Sequence, residues 1–338
     1  MKKLISLFLA LCMTLSLAAC GQGDKSETPI PEATNYPITV TDQAGRTVTI
    51  EQEPQRIISA YYITSSLLIA LDLDKNMVGI ENKPNTRAIY GLSAPELLAL
   101  PQIGSGKELN IEAIVALEPD LLLLPMKLKN TIPTLEELGL TALLVNPENQ
   151  AQFNEMVRLI GQATNKPELA ETLLDWISNQ QAVLTETLKD VEAPTVYLAG
   201  NSSMLSTAGD AMYQSDMIRL AGGVNVAAAI EDTYWAEIDY EQLLAWNPEY
   251  IVLAADASYE VADVLNDPNL ADCTAVVNGN VFRLPNQAEA WDSPVPSSIL
   301  GSLWLANILH PDQLSEAECT ARMNEFYETF YQFTYIEN

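Results

Sequence analysis

Histidine is nearly missing from these 338 residues: His310 is the only one. Bare zinc or manganese is therefore not an expected ligand, because such sites draw on several imidazoles or thiolates. A Ser–His–Asp hydrolase would have to recruit that same residue, and the sequence has no G-x-S-x-G elbow. His310 stands in LHPD near the carboxyl end, where a helix C-terminus favours it through the dipole. Positive charge is also scarce, with 17 Lys and Arg against 45 Asp and Glu and a net charge of −28. That balance argues against nucleic acid and against electrostatic docking onto anionic lipid. Of four cysteines, Cys12 and Cys20 fall at the amino end, leaving Cys273 and Cys319. An export compartment permits their pairing, but a core this large does not need it. After residue 20 no apolar run approaches the roughly 18 residues of a membrane span. Gly104-Ser105-Gly106-Lys107 is no phosphate loop: Pro101 stands at its first glycine and Glu108 at its magnesium-binding hydroxyl.

What the chain does have is a fifteen-residue pattern that occurs twice. Asn110–Leu124 reads NIEAIVALEPDLLLL and Asp239–Leu253 reads DYEQLLAWNPEYIVL, 129 positions later. Each copy opens on a capping residue, Asn110 or Asp239, with Glu112 or Glu241 two positions on. A short amphipathic helix follows and is stopped by Pro119 or Pro248. Then comes an acid, Asp120 or Glu249, and an unbroken apolar run suited to a strand buried on both faces of a parallel sheet. The repeat implies two α/β lobes of similar design.

The amino end reads as an export signal. Lys2 and Lys3 precede the apolar stretch LISLFLALCMTLSLAA, and Leu17-Ala18-Ala19-Cys20 closes it. This resembles the bacterial lipobox, in which Cys20 is lipidated and becomes the new amino terminus. Residues 1–19 are thus expected to be a lipoprotein signal. Residues 20–37, polar and Pro/Gly-bearing, are expected to be a tether holding a body off the membrane.

Strand and helix signals alternate over 38–149 and again over 193–338. Arg56–Ala60, Met77–Ile80, Leu121–Pro125 and Ala142–Val145 read as strands of the first lobe. Helices are expected over Ser65–Leu73, over Ile132–Leu138, and over Ser93–Leu100 with Ser93 as its cap. Residues 150–192 show no strand signal, and Leu169, Leu173, Trp176, Ile177, Val183, Leu184 and Leu188 recur at helical spacing, as in one long linking helix. Strands at 195–200, 250–254 and 281–285 follow, with helices at 212–220 and from Ser297 and Asp312.

The order and spacing of several segments resemble the substrate-binding proteins of ABC importers for ferric siderophores, haem and cobalamin. The segments are PQRIISAYYITSSLLIALDLDKNMVGI (54–80), LPQIGSGKELNIEAIVALEPDLLLLP (100–125), AGGVNV (221–226), LLAWNPEYIVL (243–253) and the stretch 277–312. The resemblance implies an α/β fold of two Rossmann-like lobes joined by one long helix, a ligand cleft between them and modest closure. It implies no catalysis and no cofactor. The implied partners are an ABC permease and ATPase complex, a small-molecule iron chelate and, through Cys20, the membrane; a monomer is expected. Haem, cobalamin or molybdate/tungstate stand behind the siderophore as ligands. An exported lipoprotein enzyme and an adhesion or scaffold lipoprotein are the alternatives of another class. The resemblance also places a permease-docking glutamate on each lobe, at Glu112 and Glu241.

The chain departs from the family where a small residue and a proline commonly follow the first strand. Here Tyr61 and Tyr62 stand at the strand end, able to stack on a flat or metal-bearing ligand. Lys83 and Arg87 follow the second strand, and Lys127 and Lys129 the LLLLP strand, so Arg87 and Lys127 are the expected cleft cations. In the second lobe Asn201, Ser202, Tyr234, Trp235, Trp291 and Asp292 are the candidate ligand contacts.

Overall fold

The computed structural model describes residues 35–231 and 235–335. The expected signal segment, Cys20 and most of the expected tether lie outside the described residues, as does Tyr234.

An antiparallel hairpin, β1 (Ile38–Thr41) and β2 (Thr47–Ile50), leads into the first lobe. Then come β3 (Ile57–Ser59), α1 (Tyr62–Ala70), β4 (Met77–Gly79), α2 (Ile111–Ala116), β5 (Leu121–Pro125) and β6 (Ala142–Val145). Two helices follow, α3 (Gln150–Ala163) and α4 (Pro167–Thr187). The second lobe holds β7 (Thr195–Ala199), α5 (Tyr213–Leu220), β8 (Val224–Asn225), α6 (Tyr240–Trp246), β9 (Tyr250–Leu253) and β10 (Val281–Arg283). The helices α7 (Ile299–Leu309) and α8 (Glu316–Phe330) close the chain. Each lobe has one four-stranded sheet, ordered β4-β3-β5-β6 and β8-β7-β9-β10. Every pair within them is parallel. The two sheets share one strand order, and the third strand of each, β5 or β9, is the apolar run of the repeat.

The repeated segments have matching local physics. Asn110 and Asp239 cap their helices, accepting from the backbone N–H of Ala113 and Gln242 at 3.0 and 2.8 Å. Glu118 and Asn247, each just before its proline, take left-handed backbone at φ 46° and 44°, so the chain leaves the helix where the ring bars continuation. The acid after each proline clips the entry of the neighbouring strand. Asp120 Oδ2 accepts from the backbone N–H of Gln55 and Arg56 at 2.8 and 2.9 Å. Glu249 Oε2 accepts from Thr195 N–H and Oγ1 at 2.7 and 2.9 Å.

Successive residues of a strand face opposite sides. On β5, Leu121 and Leu123 join a large apolar cluster while Leu122 and Leu124 join a smaller one of the first lobe. On β7, Val196 and Leu198 join that same large cluster, and Tyr197 and Ala199 face a third cluster confined to the second lobe. The large cluster therefore runs from one sheet to the other through Phe153, Leu173, Ile177, Phe326 and Tyr327. Burying apolar surface stabilises by about 25 cal/mol per Å², so a core common to both sheets resists wide opening.

Two sequence expectations need correction. The strand-free stretch is a helix pair, because Asn165 turns the chain at φ 58° and Pro167 starts a new helix. The periodic residues from Leu169 to Leu184 all belong to α4, the 21-residue member. Ser93 caps nothing: it ends the short helix Ala88–Ser93, and its Oγ donates to the carbonyl of Tyr331 at 2.6 Å. The two later cysteines lie in separate cores, Cys273 in the second-lobe cluster and Cys319 in the large one. His310 follows α7, buried against Gly222, with Nε2 3.2 Å from the Gly222 carbonyl oxygen. Gly222 has φ 78°, and a Cβ there would lie 2.7 Å from that ring nitrogen.

Candidate functional site

Residues that follow β3 and β4 meet residues that follow β9 and β10 across the lobe boundary, on the carboxyl side of the strands where open α/β sheets hold their ligands. The turn after β3 is braced by buried hydroxyls. Ser65 Oγ lies 2.8 Å from Ser59 Oγ, which lies 2.7 Å from Thr64 Oγ1, and Thr64 donates to the Tyr61 carbonyl at 2.8 Å. That bracing presents Tyr61 and Tyr62 half-buried, with ring centroids 5.4 Å apart and planes at 80°. Burial pushes both phenols above the ordinary tyrosine range, so they are neutral donors at physiological pH.

Arg87 precedes the short helix Ala88–Ser93 and is half-buried. Its guanidinium carbon sits 4.1 Å from the Tyr62 ring centroid, within cation–π range. Both residues reach the second lobe. Arg87 Nη1 is 3.7 Å from Asp256 Oδ2, and Tyr62 OH donates to Ser293 Oγ at 3.2 Å. A small cavity of about 20 Å³ lies here, lined by Tyr62, Arg87, Ile89, Tyr90, Ala288, Glu289, Ala290 and Val295. It has room for roughly one water.

Three buried acids surround this contact. Glu81, 8% exposed, accepts from Ser65 Oγ and Tyr90 OH, both at 2.6 Å. Glu289, also 8% exposed, accepts from Ser297 Oγ at 2.5 Å. Burial pushes both carboxyls up, and Arg87 offsets part of that rise in each. Asp292 is 3% exposed and accepts from the Ala255 N–H at 3.3 Å. Burial lifts its carboxyl to about 6, with the Asp256 charge adding to the rise. On the same side of the first lobe, burial raises Glu148 while exposed Lys127 pulls it back down.

The expected site residues therefore separate into groups. Tyr61, Tyr62, Arg87 and Asp292 line or closely back the lobe boundary, and Lys127 stands exposed beyond β5. Lys83 and Lys129 are also exposed. Asn201 is exposed after β7, its carbonyl accepting from Ser258 N–H at 2.8 Å. Trp235 lies half-buried over Gly200, where a Cβ would come within 2.9 Å of the indole. Trp291 is a correction. It is 1% exposed, donates Nε1–H to Tyr327 OH at 2.9 Å and packs on Tyr335 at 5.6 Å. Its indole is core and offers no recognition wall. Asp256, Ser293 and Glu289 went unnoticed in the sequence. Asp256 was within reach there, since it lies 129 positions after Lys127, the offset of the repeat. Glu112 and Glu241 are both exposed in the first turns of α2 and α6. A larger hollow of about 980 Å³ lies elsewhere, against Asn149, Gln181, Leu184, Asp216, Met217 and Ser302, and none of the expected cleft residues lines it.

A pair of parallel sheets with their strand ends meeting at a cation-bearing boundary, joined through a shared apolar core, defines a two-lobed solute-binding protein. Residues 57–288 match the family described as Periplasmic binding protein, and the chain belongs to that family. It is 27% identical to the molybdate-binding protein MolA of Haemophilus influenzae over 98% of each chain. It is 24% identical to a cobalamin-binding protein of Halobacterium salinarum over 91% of this chain and 84% of that protein. The solved structure of MolA bound to molybdate superposes with a TM-score of 0.79 at 25% identity, covering 89% of this chain and all of that one. A Helicobacter pylori CeuE structure shares the fold at TM-score 0.75 and 20% identity, with 88% and 96% coverage. The chain is a periplasmic-type solute-binding protein of an ABC importer and not an enzyme.

Proposed function

We propose that the protein captures a compact metal oxyanion, molybdate or tungstate, at Tyr61, Tyr62 and Arg87 and delivers it to an ABC permease. The observation that carries this reading is Arg87. In a chain of net charge −28 it is a cation held at the lobe boundary by an aromatic face, its guanidinium turned toward the opposite lobe. A guanidinium fork suits tetrahedral oxyanions, and the neutral phenols add donors. The likeness to a molybdate-binding relative over nearly the whole chain supports the same ligand class. An iron chelate such as a ferric siderophore is the second reading, favoured by two adjacent tyrosines. It ranks behind the oxyanion because the aromatic wall is smaller than the sequence suggested: Trp291 is core and Tyr62 is engaged by Arg87 and Ser293. The same loss counts against haem and cobalamin.

In this reading the mature protein is a monomer. It is anchored by lipid at Cys20 on the outer face of the cell membrane and docks its permease through Glu112 and Glu241. Calorimetric titration of molybdate, tungstate, sulfate, ferric siderophores, haem and cobalamin tests the ligand. Molybdate and tungstate are expected to bind and Arg87→Ala to weaken them by 2 kcal/mol or more, the typical cost of removing a desolvated charge partner; a wet contact would lose only about 1. Tight binding of haem or cobalamin with Arg87→Ala unchanged would reject the reading.

A further inference from the structure

We propose that Asp256 is a specificity-determining residue of the cleft: its carboxylate stands at Arg87 as a built-in competitor for the ligand anion and screens ligands by charge. The inference rests on the reading of Arg87 as the ligand's cation. Asp256 belongs to the second lobe, three residues beyond β9, yet its Oδ2 lies 3.7 Å from Arg87 Nη1 of the first. Arg87 is also held by the Tyr62 ring, 4.1 Å from its guanidinium carbon, so the guanidinium does not simply follow the carboxylate. Asp256 is steadied by Asn286, whose Nδ2 is 3.4 Å from Asp256 Oδ1 and donates to the Ala255 carbonyl at 3.1 Å. Half of the Asp256 side chain is open to solvent, so it turns out to water when displaced without a large desolvation cost.

The neighbouring acids do not duplicate it. Glu81, Glu289 and Asp292 are buried and accept hydrogen bonds from Tyr90, Ser297 and the Ala255 N–H. Burial biases all three toward the neutral acid. Asp256 is thus the solvent-reachable carboxylate paired with Arg87. The repeat makes the arrangement asymmetric, because Lys127 of the first lobe and Asp256 of the second occupy equivalent positions after equivalent strands. One lobe offers the anion a cation and the other opposes it. Even turned out to water, the carboxylate stays tethered beside the site by its backbone, and its repulsion of the bound anion grows in proportion to the ligand's charge. Asp256 therefore penalises a dianion more than a monoanion of the same shape.

Tungstate and perrhenate, tetrahedral oxyanions of charge −2 and −1, are the probes. They are titrated calorimetrically against the full chain and Asp256→Asn, with spin labels at exposed Leu138 and Val277 reporting lobe separation without ligand. Asp256→Asn is expected to tighten tungstate roughly 5-fold and perrhenate about 2-fold, the scale of an exposed ion pair. It is also expected to broaden the interlobe distance of the empty protein, as Arg87→Ala should. Weaker tungstate binding in Asp256→Asn would make Asp256 a direct ligand contact and overturn the proposal. Equal gains for the two probes would remove the charge screen and overturn it as well. If neither anion binds wild type or variant, the oxyanion reading fails. The charge screen falls with it, and the label distances then decide only whether the Arg87–Asp256 contact joins the empty lobes.

Discussion

Replacing Asp292 by Asn should change how stability depends on pH, with a sign opposite to that of most carboxylates. Asp292 is 3% exposed, it accepts from the Ala255 N–H at 3.3 Å, and Asp256 adds like charge. Its pKa is lifted from 3.8 to about 6. The folded state therefore binds the proton more tightly than the unfolded chain. The stability this contributes is fully present below pH ~4 and is lost as pH rises through about 6. A shift of about 2 units at 1.36 kcal/mol each corresponds to roughly 3 kcal/mol of strain at neutral pH. Asparagine cannot ionise, and its amide oxygen still accepts from Ala255. Asp292→Asn should thus be close to neutral at pH 4 and more stable than wild type by up to roughly 3 kcal/mol at pH 8. Urea unfolding at both pH values measures the difference directly, and comparing it between proteins cancels the other titrating groups. A variant equally destabilised at both would show that Asp292 is not held toward its neutral form and would refute the reasoning.

Trp291→Ala should cost about 3–5 kcal/mol, as large core truncations do, while Trp291→Phe should cost less, leaving Tyr327 OH short of its indole donor; a thermal midpoint unchanged in both would return Trp291 to the cleft wall. Glu112→Arg combined with Glu241→Arg should abolish uptake by cells and leave ligand Kd intact, since both side chains are exposed in the first turns of α2 and α6 and neither lines the cavity at Arg87; normal transport would remove the docking assignment. Cys20→Ser should release the protein from membranes or leave its signal uncleaved, without altering ligand affinity; membrane retention of a correctly cleaved variant would rule out the lipid anchor.

The architecture was legible because its signals are local and doubled. The proline stops, the caps at Asn110 and Asp239 and the apolar runs each follow from near neighbours, and their recurrence at one spacing announced two like lobes. The break between α3 and α4 was equally local, marked by Asn165 and Pro167, but the long periodicity of Leu169–Leu188 masked it. Ser93 misled for a different reason: a serine before Pro95 reads as a cap, and only the arrival of the Tyr331 carbonyl from 238 residues away claims its hydroxyl.

The site was half legible for the same reason. A residue's place after a strand is a local property, so Tyr61, Tyr62, Arg87 and Lys127 could be assigned to the strand ends from sequence. What each faces is decided by the other lobe. Trp291 looked like a recognition wall because it stands in a Pro-rich loop, yet α8 brings Tyr327 and the following segment brings Tyr335 onto its indole. Asp256 looked like nothing, because an aspartate in a chain with 45 acids carries no signal by itself. Its meaning appears only when the 129-residue offset is continued past the apolar run, where Lys127 maps onto Asp256 and the charge reverses. A repeat that preserves caps, proline stops and strand clips while reversing charge at the cleft separates what the fold requires from what the ligand reads. Exchanging the two, Lys127→Asp with Asp256→Lys, should therefore leave unfolding midpoints nearly unchanged, since Lys127 is exposed and half of the Asp256 side chain is open to solvent. The same exchange should change anion affinity, because it puts a second cation beside Arg87. If unfolding shifts by several kcal/mol while anion affinity holds, the positions serve the fold, and the division argued here is wrong.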